Sequence, residues 1–193
     1  MNILIILTLA IVIIVIYIKA ANDIKKEKLG NQSIKKHTPN IKIENVSSSF
    51  SDARVKRVLD GDTVIIEKYN RKIRIRLDAI DCPESNQPWG NKATYGLIKL
   101  IGGKSIRLEE HGMDCYGRIL GTIHVYNKDK SEWMNVNERM VVLGHAWVMR
   151  RFYKHLPRHR QAKLNSLEKW AKSKKIGLWK SANPIAPWEW RQA

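Results

Sequence analysis

Between Ala53 and Ile80 the chain alternates apolar and polar residues in three successive runs, and a tight-turn signal cuts off each of the first two. "ARVKRVL" (Ala53–Leu59) leads into "DGDTV", where Asp-Gly favours a short reversal. "TVIIEKY" is rich in β-branched residues and stops at "NRK". "IRIRLDAI" then sets Ile73, Ile75 and Leu77 against Arg74, Arg76 and Asp78, the period of two that gives a strand one apolar face. Three strands joined by such short turns fold as an antiparallel meander, since a parallel connection needs a crossover of a dozen or more residues.

Beyond Ile80 the strand pattern continues with helices inserted. "NKATYGLIKLIGG" (Asn91–Gly103) has helical spacing and ends on two glycines. "KSIRLEE" and "GRILGTIHVY" (Gly117–Tyr126) read as a fourth and fifth strand. "NVNERMVVLGH" is a short amphipathic helix stopped by Gly144. A longer helix comes next in "RHRQAKLNSLEKWAKSKKIGLW", with Leu164, Leu167, Trp170 and Ala171 on one face and Gly177 as its stop. Trp179, Trp188 and Trp190 are expected to pack the tail onto the domain. Five strands with a helix between the third and fourth predict a β-barrel plus helices: a small Greek-key barrel of the OB type with about three helices.

This domain is placed at residues 52–193. Before it, "MNILIILTLAIVIIVIYIKA" carries no charged side chain up to Ile18. As a helix those 18 residues would span roughly 27 Å at about 1.5 Å per residue, close to the bilayer core of about 30 Å. Residues 1–21 are therefore read as a single-pass transmembrane anchor. The alternative is a secretory signal peptide cleaved near Ala20 and Ala21, which would leave a secreted or periplasmic protein. Lys19, Lys25, Lys26 and Lys28 follow the apolar run and would keep the domain cytoplasmic by the positive-inside rule, whereas signal-peptide cleavage would place it outside; sidedness stays open. Residues 22–51, rich in Lys, Asn and Ser, read as a flexible basic linker.

The net charge is +17, from 35 Lys and Arg against 18 Asp and Glu. Most of the excess lies from Phe50 onward, so the folded part itself is basic and calls for a polyanionic partner, nucleic acid or anionic lipid. Two cysteines, Cys82 and Cys115, form neither a disulfide framework nor a zinc ligand set, and whether they pair is open.

Against this basic background the stretch "RIRLDAIDCPES" packs Asp78, Asp81 and Glu84 just behind Arg74 and Arg76. Exposed ion pairs contribute only about 0–1 kcal/mol, so stability is a weak reason for the arrangement. Asp62 in the first turn and Asp81 past the third strand, with backbone oxygens, suit a hard cation such as Ca²⁺ or Mg²⁺. The spacing is not that of an EF-hand. Pro83 fixes the turn after Cys82 and would free the Cys82 carbonyl to face a metal. Arg76 leads into this loop and Arg118, in "DCYGRI", opens the fifth strand; two guanidiniums beside a metal suit phosphate chemistry.

In "VLDGDTV", "IRLDAIDCPE", "DCYGRILG", "VNERMVVLGHAWV" and "KIGLWKSANPIAPWEW" the chain resembles the thermonucleases, the staphylococcal or micrococcal nucleases of the nuclease-like OB-fold family, over roughly Ala53 to Arg191. The resemblance implies one Ca²⁺ per domain, bound by Asp62, Asp81 and the Cys82 carbonyl. It implies Glu84 as general base or water-positioning residue, Arg76 and Arg118 as phosphate-binding arginines, and Tyr116 near the nucleotide. Where the best-known members carry two substrate-lining tyrosines, this chain reads "MRRFY", with Arg150 and Phe152 at the corresponding positions. The implied activity is Ca²⁺-dependent hydrolysis of DNA and/or RNA to 3′-phosphate products by a monomer tethered to a membrane. A non-catalytic OB-fold nucleic-acid-binding module on a membrane anchor is the alternative, and the complete set Asp62, Arg76, Asp81, Glu84 and Arg118 weighs against it. A basic domain for anionic lipid ranks last, because lipid gives no reason for paired carboxylates.

Overall fold

The computed structural model describes residues 50–192. The anchor or signal peptide expected at residues 1–21 and nearly all of the linker lie outside the described residues. Among the described residues no helix is long and apolar enough to cross a membrane.

The expected meander is present as β1 (Ser51–Val58), β2 (Thr63–Lys68) and β3 (Arg71–Leu77), paired antiparallel in sequence order. A two-residue strand β4 (Ile80–Asp81) precedes helix α1 (Gly90–Ile101). Strands β5 (Ser105–Met113) and β6 (Ile119–Asn127) come next, then a short β7 (Glu132–Asn135). The sheet order is β3-β2-β1-β5-β6-β7, and β3 also pairs with β6 in parallel, Ile75 opposite Ile119 and Leu77 opposite Gly121. That extra pairing closes β1, β2, β3, β5 and β6 into a five-stranded barrel of OB topology. Closure requires bent strands. β1 shifts register between Val55 and Arg57, and on β5 two residues, His111 and Gly112, stand against Leu120 alone. Such bulges bend a strand and re-aim its side chains.

The apolar face of each strand fills the barrel. Val55, Val64, Ile66, Ile75, Leu77, Ile106, Leu108 and Ile123 are all buried. α1 lays Ala93, Leu97 and Ile101, a four-residue repeat, against this core. Helix α2 (Val136–Val142) is capped by Asn135, whose side chain accepts the Glu138 N–H. A two-residue strand β8 (Trp147–Val148) pairs antiparallel with β4 and sets Trp147 opposite Asp81.

Helix α3 (Arg158–Ser173) differs from its sequence reading in two respects. Trp170 is half exposed, while Glu168 is fully buried on the inner face. The Glu168 carboxylate accepts the Val148 N–H at 2.9 Å and pairs with Arg150 at 2.6 Å and Lys172 at 3.2 Å, so its burial is satisfied. The helix also ends before Gly177. Lys175 adopts φ 50°, and the Lys175 and Ile176 N–H groups return to the carbonyls of Lys172 and Ala171, a Schellman stop without glycine. The tail packs as expected. The Trp179 ring lies 4.3 Å from that of Trp147, Trp188 packs on Trp147, and a one-turn helix α4 (Pro187–Trp190) closes the chain with Trp190 Nε1 donating to Asn86.

Candidate active site

The site is assembled at one end of the barrel, where three loops meet. The first is the β1–β2 turn. Asp60 holds it by accepting the Asp62 N–H on its side chain at 2.9 Å, an Asx-type turn. Gly61 is required less for its torsion angle than for closeness: a Cβ there would lie 2.6 Å from the Cys82 Cβ. The turn therefore lies flat on the "DCPES" loop and directs the Asp62 carboxylate inward, where it is buried. Asp62 Oδ2 accepts the Cys82 N–H at 2.7 Å and faces Arg76 Nη1 at 3.1 Å, and Oδ1 accepts the Thr63 hydroxyl at 3.2 Å.

The second loop joins β3 to β4. Ala79 takes φ 61°, a left-handed conformation that costs an alanine energy, and the Met149 N–H donates to its carbonyl. The chain thereby reverses after Leu77 and places Asp81 beside Arg76. The Arg76 guanidinium donates to Asp81 Oδ1 at 2.7 Å and to the carbonyls of Leu77 and Ile80. Arg76 is thus a partly buried cation, its side chain 14% exposed, fixed between two buried carboxylates. Asp62 is nonetheless pushed up to about 7, first by burial, then by the charges of Asp60 and Asp81, with Arg76 opposing. The Cys82 thiol is raised by burial, followed by the Asp62 charge, and donates to the Gly61 carbonyl. Both cysteines are free, Cys82 buried and Cys115 exposed.

The third element is the C-terminal tail. Arg191 Nη2 meets Asp81 Oδ2 at 2.7 Å and Arg191 Nη1 meets Glu84 Oε1 at 2.6 Å. Burial opposes these two carboxylate bonds in setting the Arg191 pKa, but the carboxylates prevail and hold it above its ordinary value. Gln87 fixes the approach of the tail, its side chain accepting the Glu84 N–H and donating to the Ile185 carbonyl. Asp62, Arg76, Asp81, Arg191 and Glu84 form one continuous chain of ion pairs. The sequence reading missed Arg191. Nothing local marks it, because its partners lie 107 and 110 residues away.

The other expected site residues stand apart from this chain of pairs. Asp114 holds Arg118, accepting its Nε at 2.7 Å and the backbone N–H groups of Tyr116 and Arg118 on its other oxygen. Tyr116 is largely exposed, with the Arg118 guanidinium 5.4 Å from its ring. The parallel pairing of β3 with β6 places Arg76 opposite Leu120, two residues beyond Arg118, so the two arginines sit at neighbouring strands of the same barrel end. Arg150 is tied to Glu168 and Phe152 is exposed; neither shares a hydrogen bond or ion pair with the cluster.

The donor set can be tested against a metal. Asp62 and Asp81 offer carboxylate oxygens and Cys82 a carbonyl, an all-oxygen set that suits Ca²⁺. Burial, the largest cause, disfavours the charged form of Asp62, with the charges of Asp60 and Asp81 adding to it and Arg76 opposing; a cation bound beside these carboxylates would favour the charged form. Arg191 occupies one face of Asp81 as a half-exposed cation that a bound ion would have to share or displace. The residues therefore fit a hard divalent ion.

Comparison with known proteins adds a consistent pattern. The family model described as "Staphylococcal nuclease homologue" matches residues 74–181. The chain is 38% identical over 138 residues to an Escherichia coli protein named "Uncharacterized endonuclease", covering 72% of this chain and 83% of that one. It is 35% identical over 142 residues to a Shigella flexneri protein named "Micrococcal nuclease", covering 72% and 79%. A Haemophilus influenzae protein, also named "Uncharacterized endonuclease", is 39% identical over 147 residues, covering 76% of each chain.

Proposed function

The chain belongs to the family of staphylococcal nuclease homologues, and on that premise we propose that it is a Ca²⁺-dependent nuclease hydrolysing phosphodiester bonds of DNA and/or RNA to 3′-phosphate products. Family membership and the endonuclease-named relatives support nuclease activity in general. The observation that carries the finer reading is the pairing of two buried carboxylates, Asp62 and Asp81, around the partly buried Arg76, with Glu84 three residues beyond Asp81.

Asp62, Asp81 and the Cys82 carbonyl would hold the ion, which when bound supplies charge neutralisation at a phosphodiester oxygen. Glu84, half exposed, takes the proton of the attacking water. Arg191 engages Oε1 of Glu84, which leaves Oε2 to meet the water. Arg76 would meet the phosphate in an orientation fixed by its two carboxylates. Asp114 occupies the Nε edge of Arg118, so the two Nη groups are the part of that guanidinium suited to phosphate oxygens. Both arginines oppose the charge that accumulates on phosphorus-bound oxygens in the transition state. The basic domain steers a polyanion toward this end, with the salt sensitivity such binding carries. The reading includes a monomer held at a membrane by residues 1–21.

The testing experiment is cleavage of single-stranded DNA and RNA after exhaustive chelation, then after re-addition of Ca²⁺ or Mg²⁺. Activity is expected to vanish in chelator and to return best with Ca²⁺, because Mg²⁺ demands stricter octahedral geometry. Full activity in chelator would remove the metal from the mechanism.

Arg118→Lys is expected to lower turnover at least about tenfold, or roughly 1.4 kcal/mol in the barrier. Lysine keeps the charge but cannot pair with Asp114 through Nε while presenting a planar fork to phosphate. Wild-type turnover in this variant, measured with Ca²⁺ present, would take Arg118 out of the site.

A further inference from the structure

Asp78 belongs to the same acidic stretch as Asp81 and Glu84, yet the nuclease site does not use it. It is buried just after β3, its side chain 2% exposed. The other buried acidic side chains among the described residues face arginine or lysine. Asp62 meets Arg76, Asp81 meets Arg76 and Arg191, and Glu168 meets Arg150 and Lys172. Asp78 meets imidazoles instead. His155 Nε2 lies 2.7 Å from Asp78 Oδ2, and the His111 ring is 5.1 Å from the His155 ring, centroid to centroid. One donor atom from each of Asp78, His111 and His155 lies within 4.8 Å of the other two.

We propose that Asp78, His111 and His155 bind a divalent transition ion of the Zn²⁺ class, at a site separate from the all-oxygen nuclease site. Two imidazoles and a carboxylate suit Zn²⁺, Ni²⁺ or Cu²⁺ and not Ca²⁺, which takes oxygen ligands. Three protein ligands beside an exposed rim leave a fourth position for water. The ligands come from three separate elements, and two of them are held rigidly. Asp78 is pinned through its backbone, its N–H donating to the Gly121 carbonyl and its carbonyl accepting from Asn137 Nδ2, both at 2.9 Å. His111 stands in the β5 bulge, on the face it shares with Glu109 and Thr122. Its Nε2 lies 2.9 Å from the Thr122 hydroxyl, and Arg160 donates to that hydroxyl while pairing with both oxygens of Glu109. A hydrogen bond at one ring nitrogen is the device that orients metal-bound imidazoles. Burial, the largest influence, also holds His111 below its ordinary pKa, which keeps the ring in the neutral form that ligates.

His155 is the movable member, on the exposed connection that leads into α3. With metal–ligand bonds of about 2.0–2.1 Å, donor atoms on a tetrahedral ion stand roughly 3–3.5 Å apart. The 2.7 Å Asp78–His155 contact would open slightly on metal binding, and all three donor atoms already lie within 4.8 Å of one another. A bound ion would clip the segment that carries Arg150 and Phe152 to the barrel.

The test is direct metal binding by the full-length chain, untagged and stripped of metal, in competition with a chromophoric chelator. Zn²⁺ is expected to bind one to one and to raise the melting temperature, and a large excess of Ca²⁺ should not displace it. His155→Gln, a change at an exposed position, is expected to weaken Zn²⁺ binding at least about tenfold, the lower range for disturbing a metal's ligand shell. His159→Gln, also exposed and four residues on, should leave it unchanged, as should Asp81→Asn in the nuclease site. Equal Zn²⁺ affinity in wild type and His155→Gln, or loss of binding in Asp81→Asn with retention in His155→Gln, would overturn the proposal and leave Asp78 and His155 a simple hydrogen-bonded pair.

Discussion

Glu84→Gln is expected to lower the rate of phosphodiester cleavage by about 10²–10⁴, the range for losing general-base assistance, while single-stranded DNA binding changes little. The amide keeps the size of the side chain and can still accept a hydrogen bond from Arg191 Nη1, which lies 2.6 Å from the carboxylate. The loop around it should also persist, because Gln87 holds it through the Glu84 backbone and not its side chain. What the amide cannot do is take a proton from water at neutral pH. Binding draws on the basic surface and the arginines, none of which change. Rate and affinity should be measured at one salt concentration with Ca²⁺ present. Cleavage within about threefold of wild type, well below the range for a lost base, would reduce Glu84 to a partner for Arg191 and send the search for the base elsewhere.

Arg76→Met should be the most destabilising single change in the site. The methionine can fill much of the space of the aliphatic stem, but Asp62 loses its only cation and Asp81 keeps only the half-exposed Arg191. Breaking a buried pair by removing one partner costs about 3–5 kcal/mol. At roughly 2–4 °C per kcal/mol for a domain of this size, the melting temperature should fall by about 10 °C. The loss is expected to depend on pH in a definite direction. Asp62 has a folded pKa, about 7, above the unfolded carboxylate value. Its contribution to stability is therefore fully present below the unfolded value, near 3.9, and is lost as pH rises through about 7. Without Arg76 the folded pKa moves higher still. The variant should lie closer to wild type at pH 5, where Asp62 is protonated in both, and furthest from it at pH 8. Thermal melts at the two pH values, in chelator, check this. A larger gap at pH 5 than at pH 8 would show that Arg76 does not serve to compensate Asp62.

The strands of the barrel were legible because a half-buried strand shows its period of two over five or six neighbouring residues, and the turns between them carry their own local chemistry. Ile73, Ile75 and Leu77 announce their inward face without any knowledge of what they pack against. Asp62, Arg76, Asp81 and Glu84 were legible for a related reason: adjacent strands joined by short turns must bring their ends together, so charges at those ends become neighbours. The tertiary structure alone decided how those charges are divided. Arg76 lies between Asp62 and Asp81, Arg150 is bound to Glu168, and Arg191 closes on Asp81 and Glu84 from more than a hundred residues away, whereas the Arg118–Asp114 pair is local. The two-residue pairing of β4 with β8, the buried place of Glu168 and the approach of His155 to Asp78 were equally invisible. Each joins residues about 20 to 80 positions apart, as the paired residue numbers show. Local propensity acts over a few residues, whereas which distant carboxylate a given arginine or histidine meets is set only when the closed barrel brings their loops to the same end.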